Sequence, residues 1–311
     1  MQLSLRHRLV MLMAAAMVPL FGLSMVNALL NRSAAVGQVS DDLKFAVSLV
    51  AASQNKAVEA SHHILTAIGK APGMLTPHHP DCPRYLATLK EQLGVYVNLG
   101  IVGADGYLLC HAMEAPRNVY LGDRDYVQEA FGQRRFTVSG PTLGRLSATP
   151  VIVFAMPMFD PQGKAMALAF ASMSLEDLAR PLLQAALPQG GQMVILDRQG
   201  QVLAVSPANP DLIGQPVASP VLAQAVKAMR PGTREGLDEQ GRERIYAFLP
   251  AGRSEHPGFF VAVSVDRDSV LAPAHRQWQR ELALLTLVAL FGGWLAWRMG
   301  RRVILEPTLT L

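Results

Sequence analysis

Cys82 and Cys110 are the only thiols in the 311 residues. His78 and His79 stand just before the first of them, and His111 follows the second. In an oxidising compartment a single pair of thiols reads as a disulfide. Closing a loop of about 28 residues contributes roughly 3 kcal/mol in the chain-entropy account. The competing chemistry is metal binding, because imidazole and thiolate together suit zinc or copper. A c-type haem is excluded, since no Cys-x-x-Cys-His is present. His62-His63 is a further imidazole pair on a helical stretch. Other chemistry is missing from the pattern: there is no hydrolase elbow, no phosphate-cradling glycine loop and no His-Glu-x-x-His. The acids are scattered, so neither catalysis nor a cofactor is expected.

Which compartment those thiols face is set by the rest of the chain. Half of the residues are apolar and 17% are charged, with a mean hydropathy of +0.21, which is high for a soluble protein. The apolar excess sits at the two ends. Leu9 to Leu30 carries no charge and follows the basic Arg6-His7-Arg8; a spanning helix needs about 20 such residues. The run is longer than the roughly 7–15 apolar residues of a cleaved leader, and no small-x-small site closes it. Leu282 to Trp297 is the second apolar run, ending in Trp294, Trp297, Arg298, Arg301 and Arg302. Indole rings favour the membrane–water interface, and basic flanks mark the cytoplasmic side. The net charge of +4 is thereby absorbed by membrane topology, and no nucleic-acid partner is expected. Asn31-Arg32-Ser33 fits a glycosylation pattern but abuts the membrane run and is discounted.

Between the runs, Val36, Val39, Leu43, Val47, Val50, Ala57, Ile64, Leu65 and Ile68 recur at helical spacing, predicting a long helix over 31–70 with a stripe fit to pack on a domain or on a second copy. Residues 83–93 read as a short helix. Strands are expected at 96–102, 107–110, 136–139, 150–158 and 164–173, with a helix from Asp123, its N-cap, to Phe131. A second unit repeats the order: strands at 193–197, 201–206, 233–237, 243–249 and 259–265, with a helix at 220–229. The two acidic turns with glycine, Ala104-Asp105-Gly106 and Asp197-Arg198-Gln199-Gly200, fall at matching places, a repeat of about 95 residues.

This order resembles the double Cache (tandem PAS-like) sensors of bacterial membrane receptors. The residues that carry the likeness are Gly122-Asp123-Arg124-Asp125-Tyr126, Val138-Ser139-Gly140-Pro141, Pro150-Val151-Ile152-Val153, Ser172-Met173-Ser174-Leu175 and, in the second lobe, Leu196-Asp197-Arg198-Gln199-Gly200-Gln201-Val202-Leu203-Ala204 with Ile213-Gly214. The resemblance implies an α+β fold: a long N-terminal helix and two antiparallel-sheet Cache units, flanked by two transmembrane helices. The divisions are a cytoplasmic tail at 1–8, a first span at 9–30, a long helix and loop at 31–80, a membrane-distal lobe at 81–188 and a membrane-proximal lobe at 189–268. A return helix at 269–281, a second span at 282–299 and the start of a cytoplasmic linker at 300–311 complete the chain. Both termini are then cytoplasmic, with about 31–280 in the periplasm of a bacterial inner-membrane protein, where Cys82 and Cys110 pair.

In such receptors the distal lobe holds a small ligand. Carried over, the site is Tyr120, Arg124, Tyr126, Ser139 and Ser172, with Arg124 holding an anion and the tyrosines lending aromatic walls. Val127, Thr142, Gly144 and Ser172 stand where amino-acid-binding members carry a tyrosine or the carboxylates for the ligand's ammonium. A small anion or carboxylate is therefore favoured over a free amino acid. The output beyond the C-terminus is expected to be a diguanylate cyclase or histidine kinase, the stripe of 36–68 suggests a homodimer, and no metal is assigned. The rival class is a protein-interaction or scaffold ectodomain without a small ligand.

Overall fold

A computed structural model of the chain describes residues 5–71, 79–113, 119–185, 187–253 and 256–304. They divide into two units, Met1–Asp41 with Arg267–Leu311, and Asp42–Asp266. The second unit begins within helix α1 (Leu5–Lys70). Leu43, Val47, Val50, Ala51, Val58, Leu65 and Ile68 lie along one stripe of α1 and are buried, as a period of 3.6 requires of residues facing a core. Helix α2 (Cys82–Leu93) follows and ends on Gly94 in the left-handed conformation.

Among the described residues the distal sheet has six strands: β1 (Asn98–Gly103), β2 (Leu108–His111), β3 (Thr137–Val138), β4 (Thr142–Leu143), β5 (Pro150–Phe159) and β6 (Ala165–Ser174), with α3 (Asp125–Gln133) between β2 and β3. Their order is β2-β1-β6-β5-β3, with β4 also on β5, and every pairing is antiparallel. β5 runs Val151 to Ala155 buried at every position, because both faces of the sheet are covered. Val151, Val153 and Ala155 join the cluster under Tyr126, Val127 and Ala130 of α3. Phe154 points the other way, against Phe136, whose ring meets His62 of α1. Alternation across a strand thus assigns one row to α3 and one to α1.

Helix α4 (Leu175–Gln184) leaves β6 directly, capped by Ser174 Oγ, which accepts from Asp177 N. The proximal sheet comprises β7 (Gln192–Leu196), β8 (Val202–Ser206), β9 (Gly232–Leu237), β10 (Glu243–Arg253) and β11 (His256–Asp266), in the order β8-β7-β11-β10-β9, with α5 (Pro220–Ala228) on one face. The strand order repeats that of the distal sheet. The first turns match as well: Gly106 (φ +83°) and Gly200 (φ +84°) occupy the same left-handed place, where only glycine is unstrained.

Helix α1 fastens both sheets. Its Ser61 hydroxyl bonds the Tyr96 hydroxyl at 2.9 Å, Gln54 Nε2 donates to the Leu178 carbonyl at 3.2 Å, and Asn55 Oδ1 accepts from Gly252 N of β10. The lobes also meet directly, through Arg198 and Glu129 at 3.0 Å and through Gly258 against Val138. Helix α6 (Arg267–Ile304) follows β11 without an intervening residue.

Two expectations change. The distal sheet gains β4, a two-residue strand too short to leave an alternation. The N-cap of α3 is Arg124, without a side-chain bond, because Asp123 is turned to an ion pair with Arg145. The helical stripe packs on the chain's own core at Leu43, Val47, Val50, Leu65 and Ile68, while Phe45 and Leu49, one turn apart, stay exposed. The expected spans fall on the ends of α1 and α6. There Leu23, Leu29, Leu30, Leu287, Leu290 and Phe291 are exposed, and among the described residues no helix is long and apolar enough to cross a membrane. The expected tail and the linker beyond Ile304 lie largely outside the described residues.

Cys82 and Cys110 are joined, with Cα atoms 6.2 Å apart, tying α2 to β2. Replacing both by alanine is expected to lower the unfolding free energy by about 3 kcal/mol, read as a lower urea midpoint with a slope that rises as the unfolded chain expands. Asp197 supplies a second prediction. It is buried at 3% exposure and accepts from Gln199 N and Gln201 N, and burial raises its pKa despite those bonds. A raised carboxyl pKa makes the ionised form the costly one, so stability falls as pH rises from the unfolded value of about 3.9 through the raised native value and is level above it. Asp197→Asn should flatten that part of the Tm-against-pH curve.

Candidate functional site

Helix α3 meets the distal sheet at the end where β5 begins, and the segment from Thr142 to Thr149 folds over this corner. Beneath it lies a cavity of about 30 Å³ lined by Asn98, Arg124, Tyr126, Thr142, Leu143, Arg145, Val151, Val153, Phe170 and Ser172, among others. That is room for about one water molecule. Phe170 forms part of its wall and lies across Gly100, where a Cβ would come within 2.4 Å of the ring. Glycine in β1 is what lets that ring lie flat.

The polar groups around the cavity are of one kind. Arg124 donates through Nη1 to Thr142 Oγ1 at 3.4 Å and through Nη2 to the Leu143 carbonyl at 3.2 Å. Both contacts are neutral, and no carboxylate among the described residues lies within 4.0 Å of the guanidinium. Its neighbour Asp123 is engaged by Arg145, with Nη1–Oδ1 at 2.9 Å and Nη2–Oδ2 at 2.7 Å. Arg145 also donates to the Tyr120 carbonyl. This two-pronged bond holds the Asp123 carboxyl below its ordinary range and raises Arg145. The pair is exposed, so its contribution to stability is small.

Tyr126 is 7% exposed, and burial pushes its pKa up to about 12. The hydroxyl is therefore a fixed neutral donor at any physiological pH. Ser172 Oγ donates to the Asn98 carbonyl at 3.3 Å. Asn98 itself, 2% exposed, has a buried Oδ1 with no hydrogen-bond partner. An unsatisfied buried amide costs about 1–3 kcal/mol, which makes it a mark of strain or of function. The Arg124 guanidinium and the Tyr126 phenol can donate to an oxygen atom, whereas the open Oδ1 of Asn98 is an acceptor and calls for a donor.

The residues expected from the sequence thus separate. Arg124, Tyr126 and Ser172 come together at the cavity. Ser139 does not line it: its Oγ accepts from Val153 N and donates to the Gly140 carbonyl, continuing the ladder between β3 and β5. It faces an adjoining space of about 380 Å³ that Arg124, Tyr126 and Thr142 also line, together with Asp123, Asp125, Glu129 and Asp197. Tyr120 stands outside, 44% exposed, with its ring edge-on to Tyr107 at 5.1 Å. Asn98 was missed, although it is the one polar side chain in Val97–Val102 and sits in an otherwise apolar strand. Among the described residues no group of three His, Cys, Asp or Glu could hold a metal ion; His78 lies outside them, and both thiols are in the disulfide.

Comparison with known proteins agrees with this architecture. Residues 31–274 match the family model of the Cache domain. The extracellular domain of rpHK1S-Z16, assigned as a histidine kinase, is similar at 22% identity and a TM-score of 0.63, with 76% of this chain and 98% of that one covered. The ligand-binding domain of the Pseudomonas aeruginosa PAO1 amino acid chemoreceptor PctB, in complex with L-Arg, is similar at 16% identity and a TM-score of 0.61, covering 76% and 98%. That of the Pseudomonas fluorescens chemoreceptor CtaA, in complex with L-isoleucine, follows at 15% and 0.59, covering 78% and 98%. No curated protein matches the chain. With two sheets of one strand order on a shared N-terminal helix, and a family match over most of its length, the chain belongs to the Cache domain family.

Proposed function

We propose that residues 31–280 form the extracytoplasmic sensing region of a bacterial membrane receptor, and that the distal lobe takes a small carboxylate or other small anion at Arg124. The observation that carries this reading is a guanidinium held only by neutral oxygens beside Tyr126 and Ser172. The cavity lining contains no aspartate or glutamate, so a ligand ammonium finds no counter-ion.

The size of the cavity supports a two-state device. At about 30 Å³ the cavity is smaller than a metabolite, so a ligand at Arg124 either displaces the segment from Thr142 to Thr149 or extends into the adjoining space of about 380 Å³. The Asp123–Arg145 bond links that segment to the start of α3 and acts as its latch. A ligand that binds only the opened form shifts the equilibrium by its differential affinity. The shift passes to α1 and α6, which are continuous with the sensing unit along the chain. In this reading Leu9–Leu30 and 282–299 span the membrane, supported by their uncharged sequence and exposed leucines. A second copy packs on Phe45 and Leu49, and a diguanylate cyclase or histidine kinase receives the signal on the cytoplasmic side.

Thermal melting of the purified full chain against small carboxylates and phosphate tests the reading. A ligand at 100 times its Kd should stabilise the fold by about 2.7 kcal/mol, and Arg124→Ala should weaken binding at least about tenfold. A flat panel on a folded protein favours an ectodomain that binds another protein. Asp123→Asn removes the latch and should tighten the same ligand up to about fivefold, measured by calorimetric titration.

A further inference from the structure

The proximal sheet repeats not only the strand order of the distal sheet but the register beneath its pocket. In the distal lobe Asn98 of β1 pairs with Ser172 of β6, which pairs with Val153 of β5. In the proximal lobe Gln192 of β7 pairs with Ser264 of β11, which pairs with Tyr246 of β10. Over this second trio lies a pocket of about 310 Å³ against about 30 Å³ in the distal lobe. Its lining includes Val194, Leu222, Arg244, Tyr246, Ala262 and Ser264.

Two of these residues are buried with polar ends that the protein leaves unused. Arg244 is 4% exposed. Its Nε donates to Ser264 Oγ at 3.1 Å, and its Nη2 to the carbonyls of Gly190 at 2.9 Å and Ser264 at 3.2 Å. Nη1 has no partner among the described residues, and it is not among the polar atoms sealed from solvent, so it opens on the pocket. No carboxylate among the described residues lies within 4.0 Å of this guanidinium. Tyr246 is 2% exposed, and its hydroxyl likewise has no partner and is not sealed. Arg244 and Tyr246 are two apart on one strand and so face the same side. A buried cation without a counter-charge is costly, whereas a buried pair with good hydrogen bonds is not. Structure and chemistry both ask for an anion here.

We propose that the proximal lobe holds a second ligand site, in which Arg244 and Tyr246 bind the carboxylate of a small aliphatic monocarboxylic acid and Val194, Leu222 and Ala262 enclose its apolar body. The rim decides against polyacids. Asp238 and Glu239 line the mouth, and Arg242 is committed to Asp238 at 2.9 Å. One cation faces inward, and a second ligand carboxylate would meet the rim acids.

Calorimetric titration of the full chain with butyrate, and with succinate as the dicarboxylate control, tests the assignment. Butyrate is expected to bind in the millimolar range or better and succinate at least about tenfold more weakly. Tyr246→Phe removes a hydroxyl that bonds nothing in the protein, so the unliganded Tm should stay and the butyrate Kd rise at least about threefold. Arg244→Lys should raise that Kd about tenfold or more. In Arg124→Ala, which removes the distal carboxylate site, the butyrate-binding component lost in Arg244→Lys should persist, which separates this site from the distal one. The proposal is overturned if butyrate does not bind a folded chain, if succinate binds as well or better, or if binding survives Tyr246→Phe and Arg244→Lys but is lost in Arg124→Ala.

Discussion

The buried stripe of α1 is the constraint from which the rest of the sensing unit follows. A single helix face running from Leu43 to Ile68 has to satisfy two sheets at once. It does so with apolar contacts along its length and three polar fixings, at Gln54, Asn55 and Ser61. Those fixings reach the entrance of β1, the body of α4 and the far end of β10. Neither lobe can shift along the helix without breaking a bond to a buried group, and such a loss costs more than the bond itself contributes. The lobes are thereby held in register through a third element as well as through their own modest contact at Arg198–Glu129 and Gly258–Val138.

Much of the fold was legible because it is written in alternation and in turns. Gly106 and Gly200 announced two hairpins of one shape, and the unbroken apolar run at 151–156 announced a central strand covered on both sides. What was not legible depended on partners distant in sequence. β4 exists only because Thr142 and Leu143 meet β5. Asp123 looked like a helix cap, since nothing local reveals that Arg145 will claim it. The α1 stripe fitted a second copy as well as it fitted a domain, and only the structure shows that Val47, Val50 and Leu65 pack inside the chain's own core.

The candidate site shows the same division. Arg124 and Tyr126 are close in sequence, at the start of one helix, and could be read together. Ser172 lies beside them through strand pairing, while Asn98 comes in by the same pairing and carries no local signal beyond being polar in an apolar strand. Arg244 and Tyr246 are harder still. An arginine two residues from a tyrosine on a strand reads as an exposed row until the α5 side of the sheet is known to be covered.

The repeated ladder has a consequence for how such a chain changes over time. Backbone hydrogen bonds carry the strand pairing in both lobes, and the side chains over the trio of paired strands are not needed for it. Near equivalent corners one lobe has Val151 and the other Arg244; one has a small space and the other a roomier one. A copy of the frame is therefore a spare, on which the recognising groups can be exchanged one by one while the first pocket keeps its own. Innovation in one lobe leaves inheritance in the other intact.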